Sequence, residues 1–300
     1  MTIPQFVFAL LEPRLTAEGR EWFSAAQTEI VRGVDAERFC VLFSKASRHV
    51  ARRALTPSAE EARRAAALVP GLNLERWTML DTLRAALVLS RADLPTASGA
   101  AAVEELFRYA DMGELCAGYK LLALLPDGKR FAWRAGEGAR SSMRAAYEAA
   151  CCDTPFPATH FDVVAWHNAL IKALFIEAPL WRVWGIDARL DADLARTALD
   201  LTDERRSAAR PIHPDTWMCL GAHGGERALR SIEIELAGGS AFGRAAASLA
   251  LARAGKRERL LELAPLEKDA FVQRAMLEAI AGRHASTAWA AFDATRQGAR

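Results

Sequence analysis

The sequence predicts an all-α protein, and within that class an α-solenoid: a HEAT-like superhelical array of antiparallel helix pairs. Three observations carry this. Roughly a fifth of the residues are Ala, and Leu, Arg and Glu are abundant, all strong helix formers. Val, Ile, Thr and Tyr are comparatively scarce, and runs that alternate polar with apolar residues are nearly absent. Over roughly the last ninety residues, helical pieces alternate with breaks at Gly224-Gly225, Gly238-Gly239, Gly255 and Gly282. That texture, with a period of roughly thirty-odd residues, fits helix pairs that bury their faces on their neighbours.

The elements follow in order. The apolar N-terminal stretch lacks a basic leader region and a small-residue cleavage site, and reads as a short buried helix. Residues 16–31 form the first long helix. Asp35 caps the next, where Phe39, Leu42, Phe43 and Ala46 recur at helical spacing. Ser58 followed by Glu61 is a capping box. Residues 74–91 put Trp77, Leu80, Leu83, Leu87 and Val88 on one face. Helices over 97–111 and 114–125 are parted by a Gly113 turn, and Pro126-Asp127-Gly128 stops the second. Residues 130–135 are strand-like, and 138–150 are helical again. Across 151–158, Pro155 and Pro157 forbid a regular helix interior. Residues 161–178 make a strong helix ended by Pro179, and 191–209 another, ended before Pro211. Helices over 244–253, 256–264, 268–280 and 286–295 complete the chain. The expected organisation is a helical region over 1–222 and HEAT-like repeats over 223–300, continuous in one right-handed solenoid.

Charge and motifs exclude several classes. Lys and Arg number 39 against 37 Asp and Glu, a formal charge of +2. A general nucleic-acid binder is more basic, and a disordered chain more charged and less apolar. No apolar run reaches the length of a membrane span. The five cysteines are irregularly spaced, without CxxC, and read as reduced thiols. P-loop, GxSxG and HExxH motifs are absent, as is GxGxxG after a strand, so no cofactor and no metal are expected.

Candidate chemistry centres on residues 153–172. His160 and His167 are seven apart; on one helix they would lie about 10 Å apart along its axis, too far for one metal ion. His167, Asn168 and Lys172 are the better constellation, with Asn168 and Lys172 sharing a face at i, i+4. His167 has the chemistry of a general base, and Lys172 that of an anion or carbonyl anchor. The competing reading is a hydrogen-bonded, semi-core His167 and a snorkelling Lys172. Cys151-Cys152 would need His160 or His167 as a base to act as nucleophiles, and His160 and His167 with Cys151 or Cys152 also make a weaker metal set. His213, Cys219 and His223 match no metal template. Asp111, Glu114, Asp187 and Asp200 are acid–base candidates or helix caps. Arg38, Arg48, Arg52, Arg53, Arg63, Arg64, Arg134, Arg140 and Arg144 offer an anion-binding face or a salt-bridged surface. Trp166, Trp181, Trp184 and Trp217 read as core, or as the walls of an apolar pocket.

Several segments resemble the EboA family. They include Asp111-Met-Gly-Glu-Leu-Cys-Ala-Gly-Tyr119 through Leu124-Leu125-Pro126, and Arg134-Ala-Gly-Glu137-Gly-Ala-Arg140. The strongest are Thr154-Pro155-Phe156-Pro157, Trp166-His-Asn-Ala-Leu-Ile-Lys172-Ala-Leu-Phe175 and Gly185-Ile-Asp187. Leu194-Ala-Arg196 to Asp200, Arg210-Pro211 to Trp217, and Leu42-Phe-Ser44 to Arg48 also fit, so the resemblance spans roughly 5–235. Thr154 and Phe156 stand where the family pattern has Asn and Tyr, and His167-Asn168 where it has Asn-Gln. The resemblance implies a metabolite traffic protein of a bacterial secondary-metabolite gene cluster. That cluster also encodes a UbiA-type membrane prenyltransferase, TIM-barrel proteins and a sugar-phosphate cyclase. The expected role is a non-catalytic helical adaptor or metabolite-binding protein whose partners are the cluster's proteins or a small metabolite. The expected location is the cytoplasm, at most peripheral to the inner membrane through a partner. The alternative is an all-helical enzyme acting on a natural-product intermediate, with His167 as general base. Ligand candidates on either reading are Asp153, Phe156, His160, His167, Asn168, Lys172 and Asp187.

Overall fold

A computed structural model of the chain describes residues 1–292. Among them lie 17 α-helices, six 3-10 turns and no strand; one isolated antiparallel bridge joins Ala54 to Thr78. The expected all-α class holds. The chain forms two compact units, Met1–Ala169 and Leu170–Arg300.

The first unit contains α1 (Ile3–Leu11), α2 (Ala17–Arg32), α3 (Ala36–His49), α4 (Ala59–Leu68), α5 (Met79–Leu89) and α6 (Ala97–Glu105). There follow α7 (Met112–Leu121), α8 (Ala132–Arg140), α9 (Arg144–Cys151), α10 (Phe156–His160) and α11 (Val163–Ile176), whose last turns belong to the second unit. The helix starts are chemically marked. Thr2, Thr16, Asp35, Ser58, Thr78, Thr96 and Asp111 each accept a backbone N–H three residues on. Each such cap stabilises its helix by about 1 kcal/mol. α3 buries Phe39, Leu42, Phe43 and Ala46, the stripe its spacing predicts. α5 is the core: every residue from Met79 to Leu89 is buried, and α1, α2, α3 and α7 pack around it. Burying one of its leucines is worth about 1.5–3 kcal/mol.

The second unit contains α12 (Ala192–Ser207), α13 (Thr216–Leu220), α14 (Gly225–Gly238), α15 (Ala241–Arg253), α16 (Arg257–Leu263) and α17 (Ala270–Ile280). α15 is its hub, with α13, α14, α16 and α17 packed on it. Its buried face is built of small residues (Ala245, Ala246, Ala247, Ala250), which lets neighbouring backbones come close. Gly243 shows the reason: a Cβ there would fall 1.9 Å from Oε1 of the buried Glu235 on α14.

Several local expectations are corrected. Residues 130–135 are not strand-like: Gly128–Phe131 is a 3-10 turn and α8 begins at Ala132. Phe131, Ala135 and Ala139 are all buried at i, i+4, i+8, a helical period that a six-residue window hides. Gly113 is not a turn but lies inside α7, because Asp111 and Glu114 form a capping box one step earlier. The helix expected over 138–150 is two, with Ser141 extended between them. α5 starts at Met79 rather than 74, where Thr78 and Asp81 form another box. The proline stretch holds a short helix, α10, since Pro157 sits at its N-terminal end, where a missing N–H costs nothing. The helix expected over 286–295 is a 3-10 turn, Ser286–Trp289, continued helically to 292; positions 293–295 lie outside the described residues.

Candidate functional site

The predicted segment is a chain of short elements, each tied to a neighbour. After α9 the chain reverses at Asp153, whose φ of +58° is left-handed. That turn is held from outside. The Asn73 N–H donates to the Asp153 carbonyl at 2.9 Å, and Asn73 Nδ2 to Asp153 Oδ1 at 3.3 Å. Asp153 is therefore a strap between the 69–77 connection and the end of α9. Phe156 is fully buried, and its ring lies 4.6 Å from that of His160. His160 ends α10 and rests on Gly128, where a Cβ would fall 2.6 Å from Nε2. Burial holds His160 below its usual pKa; Asp127 opposes that and Lys129 adds to it. Tyr147 on α9 donates to the Ala169 carbonyl on α11 at 2.9 Å, closing the same corner.

His160 and His167 do not share a helix. Phe161 is extended between them and α11 begins at Val163. On α11, His167 and Lys172 are half-buried and Asn168 is exposed. Asn168 and Lys172 share a face, whereas His167 and Lys172, five apart, point about 140° from each other around the axis. His167 and Lys172 are both engaged by other residues of the protein. Cys151 and Cys152 are buried, and burial pushes the Cys151 thiol far above its usual pKa, opposed only by a hydrogen bond with Tyr147. At neutral pH it is a thiol, not a nucleophile. Among the described residues, no group of three His, Cys, Asp or Glu is placed to hold a metal ion.

Asp187 is committed elsewhere. Its Oδ1 takes Arg253 Nη2 at 2.5 Å, and its Oδ2 accepts the Ser286 N–H at 2.9 Å and hydroxyl at 2.8 Å. Burial raises its pKa, but these donors outweigh that, and the net shift is downward. In the His213 region, Cys219 is pushed up to about 12 by burial and by Asp215, while His223 is exposed. Of the arginines singled out, Arg38, Arg63, Arg64, Arg134, Arg140 and Arg144 pair with carboxylates. Trp166 and Trp217 are core; Trp184 is exposed.

Sequence reasoning missed a buried ionic layer between α5 and α7. Arg84, 2 % exposed, donates through Nε to the Phe43 carbonyl at 3.2 Å and lies 3.4 Å from Glu114. Burial pulls the Arg84 pKa down, against Glu114, Asp111 and Asp81. One turn earlier, buried Asp81 takes Lys120 Nζ at 2.7 Å, which also donates to the Arg76 carbonyl. The signal was present: Asp81 and Arg84, at i, i+3, are the two charged residues of a helix that is apolar but for Thr82. Such a pair adds little over well-packed apolar residues, but removing one partner is costly because the other charge stays buried.

These features define an all-helical protein in which most of the polar groups singled out join one element to another. The family model for EboA, metabolite traffic protein, matches residues 3–221. The chain belongs to the EboA family. No curated protein and no solved structure gives a significant match to it.

Proposed function

We propose that this chain is a non-catalytic helical adaptor, or metabolite-binding protein, of a bacterial secondary-metabolite gene cluster. It assists traffic or assembly of the biosynthetic complex from the cytoplasm, reaching the inner membrane only through a partner. The partners are proteins of the same cluster, a UbiA-type membrane prenyltransferase or a TIM-barrel protein, or the metabolite itself. Residues 1–222 are its family region and 223–300 its HEAT-like part. The end of the family match at residue 221 supports that division. No helix among the described residues is long and apolar enough to cross a membrane, in keeping with attachment through a partner.

One observation carries the adaptor reading: the reactive-looking side chains are engaged in structure. Asp153 holds Asn73, Asp187 holds Arg253 and Ser286, and the Cys151 thiol is buried. Asn168 and Lys172, on one face of α11, remain the residues proposed to contact a ligand. The test is affinity purification from the native host, with a His167→Ala variant beside it. We expect a cluster-encoded protein or metabolite to co-purify, and the variant to sustain metabolite production. A chain that elutes alone overturns the adaptor reading; lost production in a folded variant favours the enzyme.

A further inference from the structure

A cleft of about 800 Å³ opens in the second unit, between one face of α17 and the segment 285–292, over Leu249 of α15. Its volume falls in the range of small-molecule sites. The lining comes from α17 positions 271, 274, 275 and 278, one helical face by spacing. Phe271 is half-buried and Phe292 buried, their rings 6.0 Å apart at 69°, so an aromatic edge and face border the cavity. Ala275, Ala288 and Ala291 keep it open, because larger side chains at those positions would fill it.

The rim is charged and unbalanced. Arg283 pairs with Glu278 across the mouth. Arg274, exposed on the same rim, makes no ion pair among the described residues. One carboxylate against two guanidiniums leaves a net charge of +1 on an apolar cleft. Arg283, and with it Arg274, holds the Glu278 carboxyl below its usual pKa, but Arg274 forms no ion pair of its own among the described residues. Such a guanidinium beside an aromatic floor is complementary to an amphiphile with an apolar body and one acidic head.

We propose that this cleft binds a small apolar molecule bearing a single carboxylate or phosphate, its body against Phe271, Phe292 and Leu249 and its acid on Arg274. The site lies beyond the family-matched residues 3–221. It belongs to this chain's C-terminal region and stands independently of the adaptor reading.

The experiment is calorimetric titration of the full chain with decanoate, decyl phosphate and decanol. Both acids should bind at one saturable site, and decanol more weakly. Arg274→Gln, a surface change, should weaken the acids about tenfold and leave decanol unchanged, the loss expected for one charge-assisted hydrogen bond. Ala288→Trp should abolish all three, with helicity checked by circular dichroism. A preference for decyl phosphate over decanoate, or the reverse, identifies the head group. Absence of saturable binding overturns the proposal, as does acid binding that Arg274→Gln leaves unchanged. Binding that appears only in a chain ending at Phe292 also overturns it, and makes residues 293–300 the occupant.

Discussion

Glu114→Gln tests whether the α5–α7 ionic layer holds the first unit together. Gln has the same shape and keeps an oxygen for the Asp111 N–H, which Glu114 Oε2 accepts at 3.0 Å, so the capping box survives. Among the described residues, what is lost is the one carboxylate ion-paired with Arg84, a guanidinium 2 % exposed. Breaking a buried pair by neutralising one partner costs about 3–5 kcal/mol. The 3.4 Å separation is long, and Asp111 and Asp81 also stabilise the cation, so the low end applies, about 3 kcal/mol. For a unit of this size that is a fall in Tm of about 6–12 °C. The companion is Arg84→Met with Glu114→Gln, which removes both charges; it should recover most of the loss, because a buried pair adds little over well-packed apolar side chains. Urea denaturation followed by circular dichroism, and a thermal scan, read both. If Glu114→Gln unfolds at the wild-type midpoint, or if the double variant is as unstable as the single, the layer is not the desolvated pair described here.

Gly99→Ala sets helix propensity against sterics. Alanine inside α6 gains about 1 kcal/mol in propensity, but its Cβ would meet the Asp93 carbonyl oxygen at 2.2 Å and Leu94 Cα at 2.8 Å. Backbone cannot move aside as a side-chain tip can, so a net loss of about 1–3 kcal/mol is expected in urea titration; a stabilised variant would sink the packing argument. His160 predicts a pH dependence. Its folded pKa lies below the unfolded value of 6.5, so the unfolded chain binds the extra proton and stability rises with pH through that window. The contribution is complete above the unfolded value and is lost as pH falls toward the folded one. The denaturation midpoint should therefore drop between about pH 7.5 and about pH 5.5, and drop less in His160→Gln; equal slopes would rule His160 out as the source.

Helix starts were legible because capping is local chemistry. Ser58 with Glu61, and Asp35 before the α3 stripe, announce themselves within four residues, and the structure has both caps. The α3 core face was equally readable, since a helix with one neighbour layer shows its period. α5 was readable as a helix but not as the centre of its unit. A helix buried on every side has no polar face to report it, and its two charged residues look like surface until α7 supplies partners. Predicted site residues fared by the same rule. Residue type placed His160, Asp153 and Asp187 among the reactive groups. Their partners Gly128, Asn73, Arg253 and Ser286 lie up to 99 positions away in the chain, and no spacing rule reaches that far.

The sequence by itself determined the all-helical class, several helix starts and the family. These depend on composition, on side chains bonding within one turn of their own backbone, and on segment-length patterns. Only the tertiary structure decided which polar groups are satisfied, which charges are buried, and that α17 and the residues after it leave a cleft beside Arg274. Those are properties of what a side chain faces, and it faces residues that the fold alone brings to it.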